Sequence, residues 1–217
     1  GWDLHPGAIE RQTKSGIDYS ADKYLYRTSH ASETLVSVGT NLFATEIASR
    51  FEKFEKRLAA DGQPYWVVTD TRGTSREYGS TPSSRIANPA DPGQIYTWRL
   101  DRVVDTLGNT TLLTYAADGA NRYLETVRYA ESAGLPATNV ITFETEARPD
   151  VERSFEVGFE VRTSRRLSRI QIATSGHKMP SLALGYGTAA SDATGRSLLR
   201  TIAIVSSDGT TQLPPTQ

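Results

Sequence analysis

An arginine, a serine-bearing strand that packs on a nicotinamide ribose, and two glutamates two apart form the constellation of a transferase that consumes a dinucleotide. This chain of 217 residues offers a version of each: Arg72 or Arg76, Ser80-Thr81-Pro82-Ser83, and Glu144-Thr145-Glu146. Two features count against the assembly. Pro82 removes a ladder donor within the supposed strand, and strand alternation places Glu144 and Glu146 together on one wet face, where carboxylates need no catalytic explanation.

The run Gly185-Tyr186-Gly187-Thr188-Ala189-Ala190, with Asp208 downstream, fits a dinucleotide-binding fingerprint. That fingerprint must open a helix whose N-terminus meets the pyrophosphate. Here Ser191-Asp192-Ala193-Thr194-Gly195 stops any helix after a turn, so a glycine-relieved strand end is expected. His5, His30 and His177 are isolated in sequence, none in a metal-binding pair, and His177 sits in a loop-like stretch with Lys178. With 0 Cys, thiolate zinc, iron–sulfur and thiol-nucleophile chemistry are excluded. No G-x-S-x-G elbow occurs. A carboxylate pair for glycoside hydrolysis stays open, because only its spacing in space would identify one. No catalytic, cofactor-binding or metal-ligating residue is therefore assigned, and no cofactor is expected.

Arginine outnumbers lysine heavily among the 24 basic residues. Arg162, Arg165, Arg166 and Arg169 cluster, and guanidinium forks suit carboxylates on neighbouring strands. Against 25 acidic residues the formal charge is -1, so no bulk field draws the chain to nucleic acid or anionic lipid. With Glu156 and Glu160 nearby, a cross-strand ion-pair lattice is expected.

The elements that would position these groups read as strands. Tyr65 to Thr69, Ile95 to Leu100, Thr111 to Tyr115, Tyr123 to Tyr129, Val140 to Phe143, Phe155 to Val161, Leu167 to Ala173, Leu182 to Tyr186 and Leu198 to Val205 are short apolar or alternating runs rich in β-branched and aromatic residues. Turn signals such as Gly73, Gly108-Asn109, Asp118-Gly119 and Asp208-Gly209 separate them too closely for crossover helices. The expected class is all-β, mainly antiparallel and hairpin-rich. One stretch disagrees: Phe43, Ile47, Phe51, Phe54 and Leu58 step at helical spacing, while Phe43, Thr45 and Ile47 alternate at period two. Residues 41–60 are thus open between strand and one short helix around 43–58. A weak repeat joins Trp66 to Thr74 with Leu100 to Asn109, each a strand followed by Asp-x-x-Gly, and Ile204 to Thr210 is a degenerate third copy.

Asp105-Thr106-Leu107-Gly108-Asn109 followed by Tyr115, Tyr123 and Tyr129 resembles the hairpin texture of YD and Rhs repeats. Trp66 with Asp70, Gly73 and Tyr78-Gly79, then Ile95 to Leu100, Phe143 to Asp150, Thr194 to Leu199 and Pro214-Pro215, fall in the order seen in the SpvB family, which includes the N-terminal part of the B component of Tc insecticidal toxin complexes. The resemblance runs from about Trp2 to Pro215. It implies a non-enzymatic β-rich segment of a shell that encloses or presents a toxic effector, with the rest of its own large polypeptide and an Rhs-repeat component as partners. Nucleic acid and direct membrane insertion are not implied. It further implies secretion, with residence in the bacterial cytoplasm before release. ADP-ribosyltransferase activity in such proteins belongs to a separate C-terminal domain, and neither that domain nor the family's β-propeller insert is visible in this chain.

Residues 1–217 are accordingly read as one SpvB-like segment, a fragment of a much larger protein, and the opening Gly1 fits a processed or excised piece. A rival from another class is a secreted carbohydrate-binding or carbohydrate-cleaving domain with Trp2, Trp66 and Trp98 as stacking platforms. As a shell segment, the chain is expected to leave the outer edge of Leu198 to Val205 without a neighbour.

Overall fold

The computed structural model describes residues 6–47, 51–132, 135–187 and 196–216. In chain order the strands are β1 (Ala8–Arg11), β2 (Tyr24–Arg27), β3 (Ser32–Gly39), β4 (Leu42–Thr45), β5 (Lys53–Leu58), β6 (Pro64–Thr69), β7 (Ser75–Tyr78), β8 (Arg85–Asn88), β9 (Asp91–Val104), β10 (Thr110–Asp118), β11 (Asn121–Glu131), β12 (Asn139–Ser154), β13 (Val161–Thr174), β14 (His177–Lys178), β15 (Ser181–Gly187) and β16 (Leu198–Val205). The one helical element among the described residues is the 3-10 turn Pro82–Ser84. All sixteen strands join one sheet, and the pairings between them are antiparallel.

β9 is the seam. Along one side it pairs with β8 and then β7; along the other it pairs with β1, Ile9 opposite Trp98, and then β10, Thr111 opposite Val103. The β1–β9 pairing closes β1 through β7 and β9 into a barrel. A barrel of this strand number has an interior just wide enough for side chains. Alternation supplies them: Ile9, Tyr24, Tyr26, Leu35, Phe43, Phe54, Trp66, Val68, Tyr78 and Trp98 form one buried cluster. Its rings meet edge to face, Tyr24 with Trp66 at 4.8 Å and Phe43 with Trp66 at 5.0 Å between centroids, an arrangement favoured by the aromatic quadrupole.

The open choice at 41–60 resolves as strand. Phe43 on β4 lies opposite Phe54 on β5, both inside the barrel, whereas Ile47, Phe51 and Leu58 are exposed to 77%, 78% and 74%. A helix would have aligned all five on one stripe; the closed sheet needs only two of them and leaves three in water. Residues 48–50 lie outside the described part.

The Asp-x-x-Gly repeat is a turn with a fixed bonding pattern. Asp70 Oδ1 accepts from the backbone of Arg72 and Thr74 while its carbonyl accepts from Gly73. Asp105 repeats this with Leu107, Asn109 and Gly108. In the third copy Ser206 takes the aspartate's place: its carbonyl accepts from Gly209 N and its hydroxyl from Thr211 N.

From β9 the sheet continues outward through β10, β11, β12, β13, β15 and β16. The tip of the β12–β13 hairpin folds back on the barrel wall. Val157 and Phe159 are buried with Ile86 and Ala120, and Tyr19 Oη donates to Val157 O at 2.7 Å. At the far end the expectation of an unpartnered β16 is corrected. The chain's own tail returns along it, with Ile202 and Thr216 exchanging backbone bonds at 3.1 and 2.9 Å and Leu213 N donating to Ile204 O at 2.9 Å.

Candidate functional site

The outward sheet carries a cleft of about 430 Å³ between β11, β12, β13, β15 and the start of β16. Leu124, Phe143, Leu167 and Leu199 give it an apolar lining. Across it the Arg166 guanidinium lies 4.2 Å over the Tyr186 ring, whose hydroxyl donates to Leu167 O at 2.6 Å. Arg166 also bonds Glu146 at 2.7 Å and Ser197 Oγ at 2.9 Å. Beside it Arg148 grips Asp150 through two bonds of 3.1 and 2.7 Å. Asp150 accepts in addition from Ser197 N at 2.7 Å and from the Ser197 hydroxyl. Arg148 first, then burial opposed by Ser197, sets the Asp150 pKa, which lies far below the ordinary carboxylate range. Ser197 Oγ thus donates a hydrogen bond to a carboxylate that stays ionised and accepts one from a cation; it is held as a clamp beside the strands, and a carboxylate of such lowered pKa is a weak base toward it.

The arginine cluster does face carboxylates across strands, though not those nearest in sequence. Arg166 meets Glu146, Arg169 meets Glu144 at 3.8 Å, and Arg162 meets Asp118. Glu160 instead forms an ion pair with Arg153 at 3.0 Å, and Arg165 donates to Thr145 Oγ1 at 3.1 Å. The Glu-x-Glu pair and two members of the arginine cluster, separate signals in the sequence, meet in one lattice because β12 pairs with β13 there, Glu146 opposite Arg166 and, across a shift in register, Glu144 opposite Arg169.

The transferase constellation is not assembled. Arg72 is exposed at a turn, and Arg76 pairs with Asp70 at 3.1 Å. Ser80 and Ser84 donate to the buried Asp101 at 2.9 and 2.5 Å, joined by Thr81 N at 3.0 Å. Burial raises the Asp101 pKa against those bonds. Arg76 and the glutamate pair stand on β7 and β12, with β9, β10 and β11 between them in the sheet.

Gly185 and Gly187 lie in β15 against β16, where an added Cβ at Gly187 would come within 2.8 Å of Arg200 Cγ. They are close-packing residues, and Asp208 sits in the hairpin beyond β16; residues 188–190 lie outside the described part. His30 and His177 are exposed and His5 is not described. Among the described residues no group of three or more His, Asp or Glu is placed to hold a metal ion. The sugar-platform reading is corrected at two of its three residues: Trp66 and Trp98 are both 0% exposed and cross at 82° in the barrel, while Trp2 is outside the described part. Asp150 and Ser197 each fall in a phrase of the family resemblance, Phe143 to Asp150 and Thr194 to Leu199, but nothing in the sequence signals that the two meet, since they lie 47 residues apart.

A family model described as SpvB, Salmonella virulence plasmid 65kDa B protein, matches residues 1–133, the barrel and the first outward hairpin. No curated protein matches the sequence significantly. Among solved structures, the N-terminal domain of effector protein SpvB from Salmonella typhimurium strain LT2 superposes with a TM-score of 0.81 at 17% identity, covering 95% of this chain and 88% of that one. TcdB2-TccC3 superposes at 0.81 and 18% identity, covering 99% of this chain and 14% of that chain. The Photorhabdus luminescens Tc holotoxin pore superposes at 0.79 and 19% identity, with the same shares. This chain therefore spans a small part of the length of the Tc chains that share its fold.

Proposed function

The chain belongs to the SpvB family, and from that membership we propose that it is a non-enzymatic structural module of a bacterial toxin or virulence protein, part of a β-sheet shell that encloses or presents a toxic effector. One observation carries the reading. β12 and β13 are 16 and 14 residues long, yet none of their side chains is fully buried. A sheet normally hides one face against a core. Here ion pairs such as Arg166–Glu146 and Arg169–Glu144 keep the strands wettable, as a wall bordering an aqueous chamber would need, while the barrel anchors one end. The separation of the transferase-like residues and the burial of Trp66 and Trp98 favour this reading over its two rivals.

The partners that follow are the remainder of its own large polypeptide and an Rhs-repeat component, without nucleic acid. Secretion after a stay in the bacterial cytoplasm goes with that role. No helix of the described residues is long and apolar enough to cross a membrane. The test is co-expression of the full polypeptide carrying this segment with its Rhs-repeat partner, followed by size-exclusion chromatography and limited proteolysis. Co-elution, with the partner's effector region protected from protease, is expected. Transfer of label from NAD to a host protein by residues 1–217 alone, or retention of that segment on a polysaccharide column, would overturn the proposal.

A further inference from the structure

On the outer wall of the barrel a second, open pocket of about 720 Å³ lies between the β2–β3 turn and β9. Glu10, Arg27, Arg99, Tyr96, Ser29 and His30 are among its lining residues. Its charges do not balance. Glu10 is occupied by an ion pair with Arg27. Arg99 makes no ion pair and no hydrogen bond among the described residues, and its Nε is cut off from water with no partner. The guanidinium rests 5.8 Å from the Tyr115 ring centre, which fixes its position without neutralising it.

A second cation stands close by. Arg122 spends Nη1 on the carbonyls of Gly119, Ala120 and Asn121, its Nε is likewise buried without a partner, and it too has no carboxylate among the described residues. Burial first, and the Arg99 charge second, lower its pKa. Two half-buried guanidinium groups that repel each other, beside an open pocket, are an arrangement that an anion would relieve, because charge-assisted bonds to a planar guanidinium are the strong ones and an uncompensated charge away from water is costly.

We propose that this pocket binds an oxyanion, the shared chemistry of a carboxylate and a phosphate, with Arg99 as its principal ligand and Arg122 supplying field from behind. Arg27, held by Glu10, forms the rim. The proposal is independent of the container reading and stands or falls on its own measurement.

The experiment is thermal unfolding of the 217-residue chain in rising inorganic phosphate or glutarate, against chloride at equal ionic strength. A ligand that binds only the native state raises the melting temperature with the logarithm of its concentration. A rise above the chloride baseline is expected with at least one of the two anions; phosphate alone assigns a phosphoryl ligand, and glutarate alone a carboxylate. Arg99→Met should weaken the fitted affinity by about tenfold or more, the scale of one charge-assisted contact of about 1.4 kcal/mol. Arg72→Met, at an exposed turn away from the pocket, should leave it unchanged. Without added anion Arg99→Met should melt no lower than the parent, since it removes a repulsive charge. If Arg99→Met does not fold, Arg99→Lys, which keeps charge and loses the fork, should still weaken the anion response. No rise with either anion, or an equal rise in the Arg99 variants, overturns the site and leaves Arg99 as a lid on Tyr115.

Discussion

Gly79 lies against Trp98: a methyl group built on Gly79 would stand 2.9 Å from both Cβ and Cγ of that side chain and closer still to Cδ1, and the glycine holds a φ of +72°. Both conditions exclude a side chain. The residue is the exit from β7, its N–H donating to Arg99 O and its carbonyl accepting from Arg85 Nε at 2.6 Å, so the backbone cannot shift away. Gly79→Ala should therefore lose about 3 kcal/mol, from left-handed strain of about 1 and overpacking of about 2. Gly108→Ala, with φ +84° and open space around it, should lose only the strain, about 1 kcal/mol. Urea midpoints of the two variants check the difference.

Acidification should loosen the outward sheet. The Asp150 pKa is depressed by Arg148 and Ser197, that of Asp118 by Ser164 and Arg162, and that of Asp208 falls to about 2 through Ser206 and Thr210. A carboxylate with a lowered folded pKa contributes stability that is present above its unfolded value and lost as pH falls through the folded one. For Asp208 that window runs from 3.8 to about 2, and for the other two it begins at the same upper limit. Asp101 has the opposite sign: burial raises its pKa, so protonation relieves a cost inside the barrel wall. Hydrogen exchange across this range should show β15 and β16 opening before the barrel strands. Asp150→Asn should lose about 2 kcal/mol at neutral pH, as for a bond to a charged group, and show a flatter acid limb. An acid transition with barrel and outward sheet opening together would contradict the assignment.

How much of this was legible in the sequence follows from the range of each interaction. Trp66 and Val68 alternate within a few residues and announce a strand facing a core. Asp70 and Asp105 bond their own turns, so the Asp-x-x-Gly repeat reads directly as structure. Barrel closure was not legible, because it rests on Ile9 meeting Trp98 across most of the first hundred residues. Local pattern also misled at Phe51 and Leu58, where helical spacing met a fold that uses Phe43 and Phe54 alone. Arg166 and Arg169 were visible as cluster members, but their carboxylates, Glu146 and Glu144, are chosen by the β12–β13 register, which no local rule supplies.

The β12–β13 tip is docked by few contacts, and Phe159 is the largest of its buried side chains, 7% exposed against Ile86, Ala120 and the partly buried Tyr96. Phe159→Ala should cost about 3 kcal/mol of docking while leaving the barrel's ring cluster, which it does not touch, intact. Tryptophan emission from buried Trp66 and Trp98 should stay unshifted in the variant, and amide exchange should rise at Val157 and Gly158. A shift in the tryptophan emission would show that the tip supports the barrel itself.

The tail guards the sheet's last edge. Ile202 and Ile204 are 42% and 46% exposed on β16, and their outward backbone groups are taken by Thr216 and Leu213. Removing residues 212–217 leaves those N–H and C=O groups free beside apolar side chains, the combination that templates pairing with another chain. The truncated chain should associate with rising concentration in sedimentation velocity, while the chain that keeps its tail shows weaker association at the same concentrations. Ile202→Lys in the truncated background should reverse the effect, because a charge on an edge strand opposes strand addition. Equal sedimentation of truncated and intact chains would mean that the tail protects nothing, and that exposed Leu198 and its neighbours on β16 are harmless without it.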